Sequence, residues 1–303
     1  MKKVVFDIET YINYTLFSFS DLDGTKFVEL EMYKGKELDR AKLKKVLKSY
    51  TIITFNGENF DMPITFAAIA GASCERIKYI CDAIIRTSEP GWKTCQRFNI
   101  KPFDVNHIDI KEPTPGVAVS LKLYGGRLNA PKLQDLPIEP SAKITPEQRE
   151  PLRLYCRNDL ATTARLYRAV ENEIDLRRAM TEQYKVDLRS KSGAQVAKAV
   201  IGHQLKSVGV SPKVRKVSAG TSYKYKMPEF IRFESEQLND LKQLVIKADF
   251  VVNDKGSVLI PDELKKVINF DDAKYKIGIG GLHSQEKKQA VVCGANQIFG
   301  EFD

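Results

Sequence analysis

The stretch Lys3-Val4-Val5-Phe6-Asp7-Ile8-Glu9-Thr10 decides the fold. Lys3–Glu9 is short and dominated by β-branched and aromatic residues, the composition of a strand. It nevertheless carries two acids, Asp7 and Glu9. On a strand, residues i and i+2 point to one face, ~6.6 Å apart along the chain. Two carboxylates facing one way in an apolar strand repel each other, and burial raises that cost. A divalent cation relieves it. Taken alone, the D-x-E pair is more simply a strand end exposed to water.

Outward from this strand, Tyr14–Ser20 and Phe27–Met32 have the same strand composition, and the turn Asp21-Leu22-Asp23-Gly24 joins them as a hairpin. Leu38–Tyr50 is an amphipathic helix with apolar positions at 38, 43, 46 and 47. Thr51–Phe55 reads as a buried strand ending at Asn56-Gly57, after which Asp61 opens a helix with Pro63 in its first turn. Helical patches surround Cys81 and Leu121, with a strand at Val105–Ile110 between them. A proline-rich connector then leads into a long helical stretch from about Pro146 to Val186, with Pro151 marking a new first turn. The order predicts one α/β domain with a mixed sheet flanked by helices over residues 1–188. A smaller basic α+β region follows over 189–303, with a helix at Glu234–Lys247, a hairpin at Phe250–Leu259 and a Gly-rich segment at Tyr275–His283.

Two further acids stand beside the pair. Asp61 closes Asn56-Gly57-Glu58-Asn59-Phe60-Asp61, where a helix cap is its ordinary role. Asp159 closes Tyr155-Cys156-Arg157-Asn158-Asp159, and spacing i, i+4 puts Tyr155 and Asp159 on one helix face, ~5–6 Å apart.

Taken in order (strand, strand-to-helix, late helix), these three segments resemble the D-x-E-T, N-x-x-x-F-D and Y-x-x-x-D motifs of the DEDD superfamily of 3′–5′ exonucleases. The resemblance covers roughly residues 1–188 and implies a ribonuclease H-like fold. Tyr155 stands four before the last aspartate and Leu154 where the histidine subtype needs its histidine, so the match is to the tyrosine subtype. The resemblance implies that Asp7, Glu9 and Asp159 hold one Mg²⁺ or Mn²⁺ and that Asp7, helped by Asp61 through water, holds a second. Tyr155 would then orient the attacking water. Thr10, Asn56 and Phe60 match positions that grip the 3′-terminal nucleotides, Phe60 by stacking. Ser120-Leu121-Lys122 resembles a segment of phage exonuclease domains in which the lysine contacts phosphate, although a surface lysine is an equal reading.

Lys276–Ser284 resembles, more weakly, a segment just upstream of the palm in phage-type family B DNA polymerases, with Asp303 at the distance of the first palm aspartate. The resemblance implies the proofreading portion of a DNA polymerase whose palm is missing, acting on single-stranded or frayed DNA in the cytoplasm, the host's if phage-encoded. A stand-alone DNA or RNA exonuclease and a non-catalytic nucleic-acid-binding module remain the alternatives.

Composition agrees. At 303 residues, 43% hydrophobic and with a mean hydropathy of −0.32, the chain can bury a core, which excludes wholesale disorder. The apolar run near Phe66–Ala72 falls far short of the ~20 residues of a membrane span, and the N-terminus enters an acidic strand, not a signal segment. Five cysteines without C-x-x-C and three scattered histidines argue against zinc, so any metal is expected to be hard and oxygen-bound. Net charge is +9, and no acid occurs between Asp187 and Glu229 while nine basic residues do. That stretch, with Tyr223 and Tyr225 around Lys224, suits a polyanion or is a plain solvated face.

Overall fold

The computed structural model describes residues 1–115, 119–210, 217–254, 256–270, 273–285 and 294–295. The chain divides into two compact units, Met1–Pro212 and Lys213–Asp303.

In the first unit a five-stranded sheet has the order β3-β2-β1-β4-β5, with β1 (Lys3–Tyr11), β2 (Tyr14–Asp21), β3 (Phe27–Tyr33), β4 (Thr51–Thr54) and β5 (His107–Asp109). β1, β2 and β3 run antiparallel, whereas β4 pairs parallel with both β1 and β5, so the sheet is mixed. The helices are α1 (Arg40–Ser49), α2 (Asp61–Ile69), α3 (Cys74–Thr87), α4 (Gly91–Arg97), α5 (Leu121–Arg127), α6 (Arg149–Ala169), α7 (Glu171–Tyr184) and α8 (Gly193–Ser207).

Alternation along β1 sorts the layers. Phe6 and Ile8 pack with Phe17, Phe19, Leu43, Leu47, Ile64 and Ile77 under α1–α3. Val5 joins Ile53, Ile108, Tyr124, Leu160 and Tyr167 on the opposite face, and Tyr11 joins Tyr14, Leu16, Leu152 and Cys156. Asp7 and Glu9 share this second face, under α6. Helices therefore cover both faces, as the sequence pattern predicts.

Three differences from the sequence reading have local causes. The helical stretch after Pro146 is not continuous: a one-turn 3₁₀ segment at Pro146–Gln148 precedes α6 and Val170 leaves helical geometry between α6 and α7, while Pro151 falls in the first turn of α6 as expected. α8 sits inside the stretch read only as basic. Its start carries the capping box Ser192–Gln195, a signal present in the sequence. Finally, the units divide after Pro212 and not at Leu188. Residues 189–195 are stitched to the first unit: Arg189 donates to Asn106 Oδ1 at 2.5 Å, the Lys191 carbonyl accepts from Arg177 at 2.8 Å, and Ser190 Oγ accepts the Asp109 amide at 2.9 Å. A change in charge is not a change in packing.

The second unit contains β6 (Ser222–Lys224) paired with β7 (Asp249–Val251), α9 (Glu236–Lys247), and a sheet of β8 (Ile268–Phe270), β9 (Ala273–Gly278) and β10 (Gly281–Ser284). Of the expected hairpin at Phe250–Leu259, the Val252–Val258 bridge is formed, while β7 takes β6 as its ladder partner. Tyr223, Phe233, Leu241, Phe250 and Ile277 line an apolar groove of about 470 Å³ within this unit. Lys213, Arg215 and Lys216 of the basic stretch, and Asp303, lie outside the described residues.

Candidate metal centre

β1 puts Asp7 and Glu9 on the α6 face, as i and i+2 must be. α6 lies against that face with Leu152, Cys156 and Leu160 buried, which turns Tyr155 and Asp159 toward the edge of the same contact. Cys156 Sγ is 3.5 Å from Asp7 Oδ2, and one donor atom from each of Asp7, Glu9 and Cys156 falls within 4.8 Å of the others.

The fourth acid arrives from β4. The chain leaves the strand at Phe55 and turns at Asn56, whose φ of 67° is left-handed, a region that Asn tolerates. It then passes Gly57, where a Cβ would lie 2.2 Å from Thr54 Oγ1, so only glycine fits. The amides of Asn59 and Phe60 donate to the Asn56 carbonyl, and Met62 N donates to the Gly57 carbonyl at 2.9 Å. This compact loop delivers Asp61 into the first turn of α2, at the carboxyl end of the parallel strand. Asp61 is 3% exposed, and its Oδ1 has no hydrogen-bond partner among the described residues.

Electrostatics bind these acids into one centre. Burial, then the Asp159 charge, pushes Asp7 up to about 7. Glu9 is raised well above the ordinary carboxylate range by burial and by Asp7, Asp159 and Asp61. Asp61 is raised likewise by burial, Asp7 and Asp109. The Ile8 amide opposes burial for both Asp7 and Asp61, so the two carboxylates approach the same point of β1. Burial lifts Asp159 to about 6, held down by Tyr155 and by the Lys122 charge. Tyr155 is itself raised by burial and by Asp159, so its phenol keeps its proton.

Four carboxylates raised by burial, of which Asp7, Glu9 and Asp61 are raised further by neighbouring acids and one keeps an orphaned buried oxygen, are donors of the type hard divalent cations take. Asp7 and Glu9, each with an oxygen within 4.8 Å of Cys156 Sγ, are the residues that could hold such a cation. Cys156 adds a soft donor, but burial and Asp7 push its thiol well above its usual range, so in this setting it donates to Asp7.

The residues expected to grip substrate have varied surroundings. Thr10 Oγ1 donates to Cys81 Sγ at 3.2 Å, and Asn56 Oδ1 accepts from Lys111 Nζ at 3.0 Å. Phe60 is half-buried against the first core. Ser120 caps α5, accepting from Leu123 N at 3.2 Å, while Leu121 packs into the second core. Lys122 pairs with Asp135 at the surface yet reaches Asp159 electrostatically, so of this segment only the lysine faces the acids.

Sequence reasoning missed Cys156 and Asp109. Cys156 is the residue after Tyr155 on a buried helix face, and its pairing with β1 has no sequence signal. Asp109 is an acid at the end of a strand the pattern did locate, but its loop partners lie over fifty positions away. No protein-family model, curated protein or solved structure matches the chain.

Proposed function

We propose that the first unit is a ribonuclease H-like, metal-dependent 3′–5′ exonuclease that hydrolyses the terminal nucleotide of single-stranded or frayed DNA. The observation that carries this reading is the Asp7–Glu9 pair on the α6 face of β1, on which Asp61 from α2 and Asp159 from α6 act electrostatically, with Tyr155 one helical turn from Asp159. Asp7, Glu9 and Asp159 would hold one Mg²⁺ or Mn²⁺, and Asp7, helped by Asp61 through water, would hold a second. Such a pair stabilises both the attacking and the leaving oxygen of an in-line phosphodiester displacement.

The chain's own groups then have distinct duties. Tyr155, protonated, orients the attacking water by hydrogen bonding, since a phenol held above its ordinary pKa is no base. Lys122, whose charge already bears on Asp159, is placed to meet a substrate phosphate. Phe60 and Asn56, on the loop before Asp61, flank the terminal nucleotide.

We assign this activity to a DNA polymerase, as its proofreading portion, on the resemblance of Lys276–Ser284 to the segment upstream of a polymerase palm. Tyr223 and Tyr225 are 46% and 43% exposed on either side of Lys224, a pattern suited to a single strand or primer–template.

The test is release of 5′-mononucleotides from 5′-labelled single-stranded DNA in Mg²⁺. The Asp7→Ala, Glu9→Ala double variant is expected to be folded and inactive. Wild-type-like degradation by that variant refutes the assignment.

A further inference from the structure

We infer that Asp109 is the positioning residue for Asp61, a buried brace that holds the loop 56–60 in the geometry the metal centre needs; this rests on the nuclease reading above. Asp109 ends β5, opposite Thr54 in the parallel register, and is 3% exposed. Its carboxylate is fully committed to backbone. Oδ1 accepts from Asn56 N at 2.8 Å and from Lys111 N at 3.0 Å, and Oδ2 accepts from Glu58 N at 2.9 Å. Lys111 closes the arrangement by donating from Nζ to Asn56 Oδ1 at 3.0 Å. The brace is anchored from behind, because the Asp109 amide donates to Ser190 Oγ at 2.9 Å.

This matters because the Ile8 amide reaches the Asp61 carboxylate but leaves its Oδ1 without a partner among the described residues. With Oδ1 unpartnered, the place of its carboxylate follows from the backbone that leads into α2. That backbone makes a left-handed turn at Asn56 and squeezes past Thr54 at Gly57. The left-handed φ at Asn56 and the close approach at Gly57 leave this loop little alternative geometry, and both positions flank the amides that Asp109 binds. Asp109 uses three of its roughly four acceptor sites on backbone N–H groups, which fits it to hold the loop. Asparagine is not a silent replacement, because its NH₂ would face an N–H donor and remove at least one of the three bonds.

The test compares wild type, Asp109→Asn and Lys111→Met. The first readout is amide hydrogen exchange at Asn56 and Glu58 in the metal-free protein. The second is the Mn²⁺ dependence of single-turnover cleavage, with KM for DNA measured separately. In Asp109→Asn, faster exchange at both amides is expected, with the half-saturating Mn²⁺ raised ~10–100-fold, the cost typical of losing a residue that orients a ligand. KM for DNA is expected to rise as well, since Asn56 and Phe60 stand on the same loop, while a cooperative thermal unfolding transition close to wild type separates this from a general loss of structure.

A folded Asp109→Asn protein with wild-type exchange and wild-type Mn²⁺ dependence overturns the inference. If Asp109→Asn does not fold, Lys111→Met decides: a smaller shift in the same direction supports the brace, and none overturns it. If wild type cleaves nothing, the nuclease reading falls, while the exchange measurement still tells whether Asp109 holds the loop.

Discussion

Cys156 Sγ sits 3.5 Å from Asp7 Oδ2, so a buried thiol donates to an acid already raised by burial and by the Asp159 charge. Burial and Asp159 raise Asp7, and the Cys156 hydrogen bond and the Ile8 amide only partly offset them. The metal-free centre is therefore a site of stored repulsion. Removing a charge there should stabilise the protein, the reverse of most core substitutions. Asp7→Asn is expected to raise the Tm of the EDTA-treated protein at pH 8 by the equivalent of about 1 kcal/mol or more. It should also abolish the Tm rise that Mn²⁺ gives wild type. A lower Tm for Asp7→Asn in EDTA would count against the repulsive cluster.

Tyr155 and Asp159 lie on one face of α6, and the proposed nuclease reading gives them different duties. Tyr155→Phe removes one oriented hydrogen bond and is expected to slow cleavage ~10²–10³-fold, as for loss of a single transition-state donor. Its calorimetric Mn²⁺ affinity should be near normal. Asp159→Ala should lose both rate and affinity. Equal loss of metal binding in the two variants would show that the tyrosine does more than position water.

Gly57 has no room for a side chain, because a Cβ meets Thr54 Oγ1 at 2.2 Å and Thr54 Cβ at 2.5 Å. Thr54 is fully buried and cannot swing away. Gly57→Ala should destabilise the protein by about 1–3 kcal/mol, the usual cost of forcing atoms into a packed site. It should also weaken the Mn²⁺ response through the displaced loop. Chemical denaturation and a Mn²⁺ titration of the variant check both.

His107 sets an acid limit on stability. Burial and the Arg189 charge lower its pKa from 6.5 to about 4, and Nε2 lies 2.7 Å from Thr54 Oγ1. The folded state therefore favours neutral imidazole. The contribution is complete above pH 6.5, where the unfolded chain is also neutral, and is lost as pH falls from 6.5 toward 4. Between pH 7 and 5 wild type should lose about 1–2 kcal/mol that His107→Gln does not lose. Denaturant midpoints at the two pH values measure the difference.

How much of this was legible in sequence differs from element to element. β1 to β4, α2 and the buried face of α6 were readable because their apolar periods are strong and local. The pairing of Asp7 with Glu9, and of Tyr155 with Asp159, follows from strand and helix periodicity alone. α4 was missed because it is short, and α8 because its basic residues obscured its capping box.

The sequence alone determined which side chains share a face within each element, since the periods 2 and 3.6 are properties of backbone geometry. The tertiary structure decided which faces meet. Only the packing of α6 on β1 brings Asp159 and Cys156 to Asp7, and only the parallel pairing of β4 with β5 brings Asp109 under the Asn56–Glu58 amides. Contacts between residues many positions apart depend on the burial of whole faces and on sheet order, which no local window of sequence contains. The raised proton affinities of the four acids arise at that level too, because desolvation and charge proximity exist only after the layers have closed.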